Sequence, residues 1–308
     1  MFSVIFPGQG SQIVGMGKEF YDKFDLVKNL FKEADNALDF SLSKIILEGP
    51  KEELNLTANT QPAIFLVSYS IFQVIKKEFK IDLFKAKFFA GHSLGEYSAI
   101  ACAEYLNFKD TIKVLKIRGD AMQNSVPKGE GGMVAVLGTS VENIENILKE
   151  NQNNFIAEIS NDNSEGQIVL SGKTNDLEKL SSFLKENKIK NIKLPVSAPF
   201  HCSLMSKATE IMREELNKLK FKNGSNPLIS NITADEIFNA EELKNLLVKQ
   251  IENRVRWRES VVNMINKGVN QFIEIGPGKI LSGLIKRINN EVEIISINNE
   301  EDIKSIKI

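Results

Sequence analysis

The chain has 308 residues, 42% of them hydrophobic, with 39 Lys and Arg against 40 Asp and Glu and a formal net charge of −1. That balance lacks the basic excess of a nucleic-acid binder, so no nucleic-acid partner is expected. Two cysteines far apart, Cys102 and Cys202, and only two histidines leave too little material for a disulfide scaffold or a zinc cluster; the expectation is a reducing cytoplasm and no metal. The apolar run in "MFSVIFPGQG" is too short for a signal peptide, and no stretch approaches the ~20 apolar residues of a membrane span, so no membrane partner is expected either.

In chain order, a strand is expected at 3–6 ("SVIF"), followed by the glycine-bearing loop "FPGQGSQIVGMG". Gly8-Gln9-Gly10 opens a G-x-G-x-x-G pattern, but Ile13 stands where the third glycine belongs and Gly15 comes two residues late, so a dinucleotide fingerprint fails in detail. Two readings stay open for this loop: a plain strand-to-helix turn, or a backbone loop that offers N–H groups to an anion or oxyanion. Helical periodicity covers 17–38 and 61–79, and a second strand is expected at 87–91, "KFFAG".

That strand runs into Gly91-His92-Ser93-Leu94-Gly95, with helix-like sequence after it. The context fits G-x-S-x-G, in which a serine sits on a strained turn and the next N–H points at a developing oxyanion. A Gly-Ser turn capping a helix would leave the same pattern. If Ser93 is a nucleophile it needs a base, and the chain offers only His92 and His201. Side chains of adjacent residues on a sharp turn diverge, which makes His92 a poor partner and reads it as structural. His201, just ahead of the amphipathic stretch "SLMSKATEIMREELNKLK", is left; a helix N-terminus there would favour the neutral imidazole.

Two polar residues interrupt apolar helix faces. Arg118 falls in the stripe of Val114, Leu115, Ala121 and Met122, where a guanidinium is costly unless it meets an anion, either an internal carboxylate or a carboxylate on a substrate. Gln250 lies one turn on from Leu246 and Leu247 and must be hydrogen-bonded, to backbone or to a functional group.

Between these segments the order changes. Strand 133–138, helix 141–151, strand 155–160, a turn at "NDNSEG", strand 167–172, helix 174–187 and strand 189–196 give β-α-β-β-α-β, the order of a ferredoxin-like unit. Further strands are expected at 227–230, 272–275 and 293–297. The fold class is therefore α/β: a large domain (1–126 and 198–308) with a mostly parallel sheet, and an inserted ferredoxin-like small subdomain (127–197), with a ligand cleft between them.

"FPGQGSQ", "GHSLGEYSA", the downstream Arg118, "PFH" and "IEIGPGKILSGLIKRI", in this order over nearly the whole chain, resemble the malonyl-CoA:acyl carrier protein transacylases, relatives of the acyltransferase domains of polyketide synthases. The resemblance implies a hydrolase-like large domain and transfer of malonyl from malonyl-CoA to acyl carrier protein by a cofactor-independent monomer. Ser93 would match the acylated serine and His201 its base. Gln250 would match the glutamine whose carbonyl steadies that histidine, and Arg118 the clamp on the malonyl carboxylate. The N–H groups of Gln9 and Leu94 would match the oxyanion hole, and Gln61 a segment near the substrate. Phe200, immediately before the histidine, is similar to the phenylalanine often found in malonyl-selective relatives. The family's acidic carrier suggests a positive landing surface, for which Arg254, Arg256, Arg258, Lys279, Lys286 and Arg287 are candidates. A serine acyl-hydrolase could use the same pair, a carrier-binding module would need neither, and a polyketide pathway could employ the same enzyme.

Overall fold

In the computed structural model, which describes residues 1–196 and 198–308, the chain alternates short apolar strands with helices around two sheets. The first sheet joins β1 (Phe2–Phe6), β2 (Phe88–Gly91), β7 (Leu228–Ile229), β8 (Glu236–Ile237), β9 (Gln271–Ile275) and β10 (Glu293–Ile297) in the order β10-β9-β1-β2-β7-β8. Every pairing in it is parallel except β7 with the two-residue edge strand β8. All five residues of β1 are buried, with Val4 and Phe6 packing into one apolar cluster and Ile5 into another. This two-sided burial is what a parallel sheet covered by helices on both faces requires.

Strand order reverses at β1, with β2 on one side and β9 on the other. Open α/β sheets offer a crevice beyond the carboxyl ends of their strands at such a point. The loops after β1 and β2 meet there: Phe6 pairs with Gly91, and the His92 N–H donates to the Phe6 carbonyl at 3.1 Å, extending the ladder one step past the strands.

The second sheet is antiparallel, in the order β4-β5-β3-β6, from β3 (Gly131–Leu137), β4 (Ala157–Ser164), β5 (Gln167–Lys173) and β6 (Lys190–Lys193). Helices Val141–Glu150 and Thr174–Glu186 supply Ile144, Leu177, Leu180 and Leu184 to an apolar cluster separate from those of the large sheet.

Two expectations change, and one strand goes unpredicted. The 17–38 helix is two, Lys18–Lys23 and Asp25–Leu38, broken at Phe24, which takes an extended conformation. The polar stretch "NDNSEG" is not a turn throughout: β4 continues to Ser164, and only Glu165 and Gly166 make the turn. The register of β4 against β5 shifts between Ile159 and Asn161 and again between Asp162 and Ser164. Such bulges re-aim side chains, and Asn161, Asp162 and Asn163 are buried rather than solvated. Polar composition signalled a turn here because their partners lie far away in sequence. Finally, β8 carries no alternating pattern long enough to be read. Ser197, the last residue of the expected insert, lies outside the described residues.

Candidate active site

Ser93 follows β2 at φ 54° and ψ −108°, a strained conformation for a residue with a side chain. The flanking glycines make this turn possible. A Cβ on Gly91 would come within 2.0 Å of the Gly95 carbonyl group, and one on Gly95 within 2.3 Å of the Phe6 carbonyl oxygen. The turn is held from below by Asn231, whose Oδ1 accepts from the Ser93 N–H at 2.7 Å and whose Nδ2 donates to the Gly91 carbonyl at 2.7 Å.

Across the cleft, His201 also has positive φ (58°) and is buried. Its Nε2 lies 2.8 Å from Ser93 Oγ, and its Nδ1 lies 2.7 Å from the Gln250 carbonyl oxygen. A carbonyl accepts only, so Nδ1 carries the proton and Nε2 is free to accept from the serine hydroxyl. The imidazole pKa is pushed down to about 3, first by burial and then by the nearby Arg118 charge. A short 3-10 turn, Ser203–Met205, lies between His201 and helix Ser206–Lys218.

Arg118 reaches the same hydroxyl from helix Phe108–Gln123, its Nη2 3.1 Å from Ser93 Oγ. The guanidinium is 1% exposed, yet its other partners are neutral: the Oε1 atoms of Gln61 and Gln250, each at 2.7 Å. Among the described residues no carboxylate pairs with it directly, its Nε has no partner, and Tyr97 places its ring centroid 5.4 Å away. Of the two anions the sequence allowed, an internal one is absent from direct contact. Burial lowers the Arg118 pKa, and an arginine remains a cation despite it.

A cavity of about 160 Å³ is lined by Gln9, Gln61, Ser93, Leu94, Arg118, Phe200 and His201, so seven of the eight singled-out residues share one wall; Gln250 packs beneath them. Leu94 starts helix Leu94–Cys102, and neither its N–H nor that of Gln9 has an intramolecular acceptor among the described residues. The cavity shares Gln9, His92 and Asn163 with a cleft of about 1050 Å³ whose rim carries Lys51, Lys128 and Lys207.

The model of the acyl transferase domain matches residues 3–305. The malonyl CoA-acyl carrier protein transacylase of Bacillus subtilis strain 168 is 42% identical over 97% of this chain and 94% of its own length. The chain belongs to the malonyl-CoA:acyl carrier protein transacylase family. Among solved structures of that family, the acyl-carrier-protein-S-malonyltransferase of Bartonella henselae has a TM-score of 0.96 at 40% identity, covering 99% of this chain and 97% of its own. The malonyl-transacylase solved with its holo type II PKS acyl-carrier protein has a TM-score of 0.94 at 36% identity, over 99% and 98% of the two chains.

Sequence reasoning missed several members of this transacylase-family site. Glu96 is 2% exposed and accepts from Gln250 Nε2 at 2.6 Å and from the Asn231 N–H at 3.3 Å. Asn163, delivered by the bulged end of β4, places Oδ1 2.8 Å from His92 Nε2. His92 therefore faces the small sheet, away from Ser93, with its ring 5.9 Å from that of Trp257. The "GHSLGE" run contained a signal for Glu96, a carboxylate inside an apolar helix; nothing marked Asn231 or Asn163. No metal-holding group of side chains and no helix able to cross a membrane occurs among the described residues.

The basic residues proposed for docking are mostly engaged. Arg254 pairs with Glu145 at 2.9 Å, Arg256 with Glu259, and Arg258 with buried Asp162 at 2.9 Å. Arg287 donates to Gln167 and Lys286 to the Val292 carbonyl.

A neutral buried His201 has a stability consequence. Its folded pKa is lowered, so the unfolded chain binds more protons as pH falls below about 6.5, and stability is lost from there down toward pH 3. At about pH 5 this one group costs about 2 kcal/mol relative to pH 7. In urea titrations, His201→Gln is expected to lose less stability than the parent chain between those two pH values; an equal loss would mean the imidazole is not buried neutral.

Proposed function

We propose that this chain transfers the malonyl group of malonyl-CoA to the phosphopantetheine thiol of acyl carrier protein, in fatty-acid synthesis, through a malonyl ester of Ser93. The observation that carries this is a buried guanidinium that no carboxylate among the described residues contacts, 3.1 Å from a hydroxyl that is itself 2.8 Å from an imidazole nitrogen. Nucleophile, base and a cation that touches no carboxylate directly occupy one small cavity, which suits an acyl group carrying its own carboxylate a few bonds from the reacting carbonyl. The names of the relatives above point the same way.

In the first half-reaction His201 Nε2 accepts the Ser93 proton as Oγ attacks the thioester carbon. The oxyanion is held by the N–H groups of Leu94 and Gln9, each worth about 3–4 kcal/mol in comparable sites. The tetrahedral adduct collapses by breaking the C–S bond, and His201 returns the proton to the CoA sulfur. In the second half-reaction the carrier's thiol attacks the malonyl-serine ester, His201 takes the thiol proton, and the serine oxygen recovers it on leaving. Two half-reactions at one site give ping-pong kinetics. Arg118 clamps the malonyl carboxylate, assisted by Gln61; Phe200 limits the room beside it; and the Gln250 carbonyl fixes the histidine tautomer. These steps call for no cofactor or metal, since each exchanges one acyl bond for another with no change of oxidation state.

The finer architecture belongs to the same proposal. Residues 127–197 act as a ferredoxin-like subdomain set into a hydrolase-like domain of residues 1–126 and 198–308, supported by the small sheet's order and its separate apolar cluster. One chain supplies every group named, which suits a monomer. Two buried, unpaired cysteines suit a reducing cytoplasm. The docking surface for the acidic carrier lies around the cleft mouth.

Intact-mass analysis tests the proposal. Malonyl-CoA is expected to add one malonyl group to the protein but not to its Ser93→Ala variant, and the group should move to added holo carrier. An adduct that only decays in water would make the protein a thioester hydrolase; no adduct would end the acyl-enzyme reading.

A further inference from the structure

The mechanism leaves unused a buried acid that lies beside the nucleophile. Glu96 sits on helix Leu94–Cys102, in the turn after the nucleophile, and is fully enclosed. Its Oε2 accepts from Gln250 Nε2 at 2.6 Å, and the Oε1 of the same Gln250 amide accepts from Arg118 Nη2 at 2.7 Å. One amide thus spans an acid and a guanidinium that do not touch. Its dipole is oriented to stabilise both charges, with the N–H end on the carboxylate and the carbonyl end on the guanidinium.

We propose that Glu96 is a positioning residue for acyl selection: through the Gln250 amide its carboxylate is the resting counter-ion of Arg118, and it takes up a solvent proton when a malonyl carboxylate arrives. A buried cation needs one compensating anion; with a substrate carboxylate present there are two, and like charges in one low-dielectric site cannot both ionise at no cost. The inner anion yields because it can be protonated in place, whereas the substrate carboxylate pairs with the guanidinium directly.

The groups around Glu96 agree with this. Arg118 is the charged group acting on it; its hydrogen-bond donors are the Gln250 amide and the Asn231 N–H, and its neighbour Tyr97 is neutral. Burial pushes the Glu96 carboxyl up to about 7, against the downward pull of Gln250, Asn231 and Arg118. Below that pH the acid is already neutral and malonyl finds Arg118 uncompensated. Above it, malonyl must first drive protonation of Glu96, so malonyl occupancy falls as pH rises.

The inference rests on the acyl-enzyme reading above, and one experiment separates the two. The equilibrium between malonyl-CoA plus free protein and CoA plus the Ser93 adduct is measured by intact mass at about pH 6, 7 and 8, and again with acetyl-CoA. For the unaltered protein the malonyl constant is expected to fall several-fold across that range, below the ceiling of about tenfold per pH unit for one proton, while the acetyl constant stays flat. Glu96→Gln should flatten the malonyl curve and raise its value at pH 8. A malonyl constant that is flat, or that changes with pH as the acetyl one does, overturns the proposal, as does a Glu96→Gln protein with the parent's pH dependence. Should Glu96→Gln fail to fold, the malonyl-acetyl contrast in the parent chain still decides. If no adduct forms with either donor, the acyl-enzyme reading fails instead.

Discussion

Replacing His201 with alanine is expected to lower the rate of Ser93 malonylation by about 10⁴–10⁶-fold, the range seen when the base of a serine nucleophile is removed. The protein should still bind malonyl-CoA, because the base contributes little to ground-state binding; rapid-mixing mass spectrometry separates the two. Removing Nε2 leaves the Ser93 hydroxyl with Arg118 as its remaining hydrogen-bond partner, a donor that cannot accept a proton. A loss of less than about tenfold would mean that another group deprotonates Ser93. The low pKa of His201 adds a second expectation. With acetyl-CoA as donor, the acid limb of kcat/KM should lie far below 6.5, nearer 3, because the base stays neutral until then. A limb at about 6.5 would assign the imidazole an ordinary, solvated environment.

Replacing Arg118 with alanine is expected to lower malonyl transfer by about 10²–10⁴-fold, from two charge-assisted hydrogen bonds at about 1.5–3 kcal/mol each. Acetyl transfer, which offers the guanidinium no carboxylate to pair with, should fall far less or rise. The ratio of kcat/KM for the two donors is the readout. Equal losses would mean that Arg118 acts through Ser93 Oγ, which it also contacts, and not through the acyl carboxylate. Arg118→Lys is a further control: a lysine keeps the charge but cannot donate to Gln61, Gln250 and a carboxylate from one plane, so much of the selectivity should be lost.

The parts of this site legible in the sequence were those that violate a local rule. Ser93 between two glycines after an apolar strand, a cation at 118 in an apolar stripe, an amide at 250 on a buried face and a scarce histidine each depart from what composition and periodicity require. Their departures pointed to one another. The β-α-β-β-α-β order was legible for the opposite reason, since its helices and most of its strands follow their periodicities closely.

What stayed hidden is long-range. Asn231 holds the elbow from a residue 138 positions away, and an asparagine after a short strand is what any turn contains. Asn163 looked like turn composition because its burial depends on two register shifts in β4 and on His92 as partner. Glu96 lies inside the "GHSLGEYSA" run, where it looks like any polar residue in the first turn of a helix. Its meaning requires knowing that Gln250 stands between it and Arg118.

The pairing of β1 with β2 sets more than the frame of the fold. Because Asn231 occupies the Ser93 N–H, the two donors proposed for the oxyanion come from segments that leave neighbouring strands, Gln9 on the loop after β1 and Leu94 at the start of the helix after β2. Their separation is therefore inherited from interstrand spacing, about 4.8 Å, and from the Phe6–Gly91 register, not from the flexibility of either loop. Gly8 guards that inheritance: a Cβ there would lie 2.6 Å from the His92 carbonyl oxygen and push the loops apart. On that reading the proposed anion trap takes its geometry from the sheet beneath it.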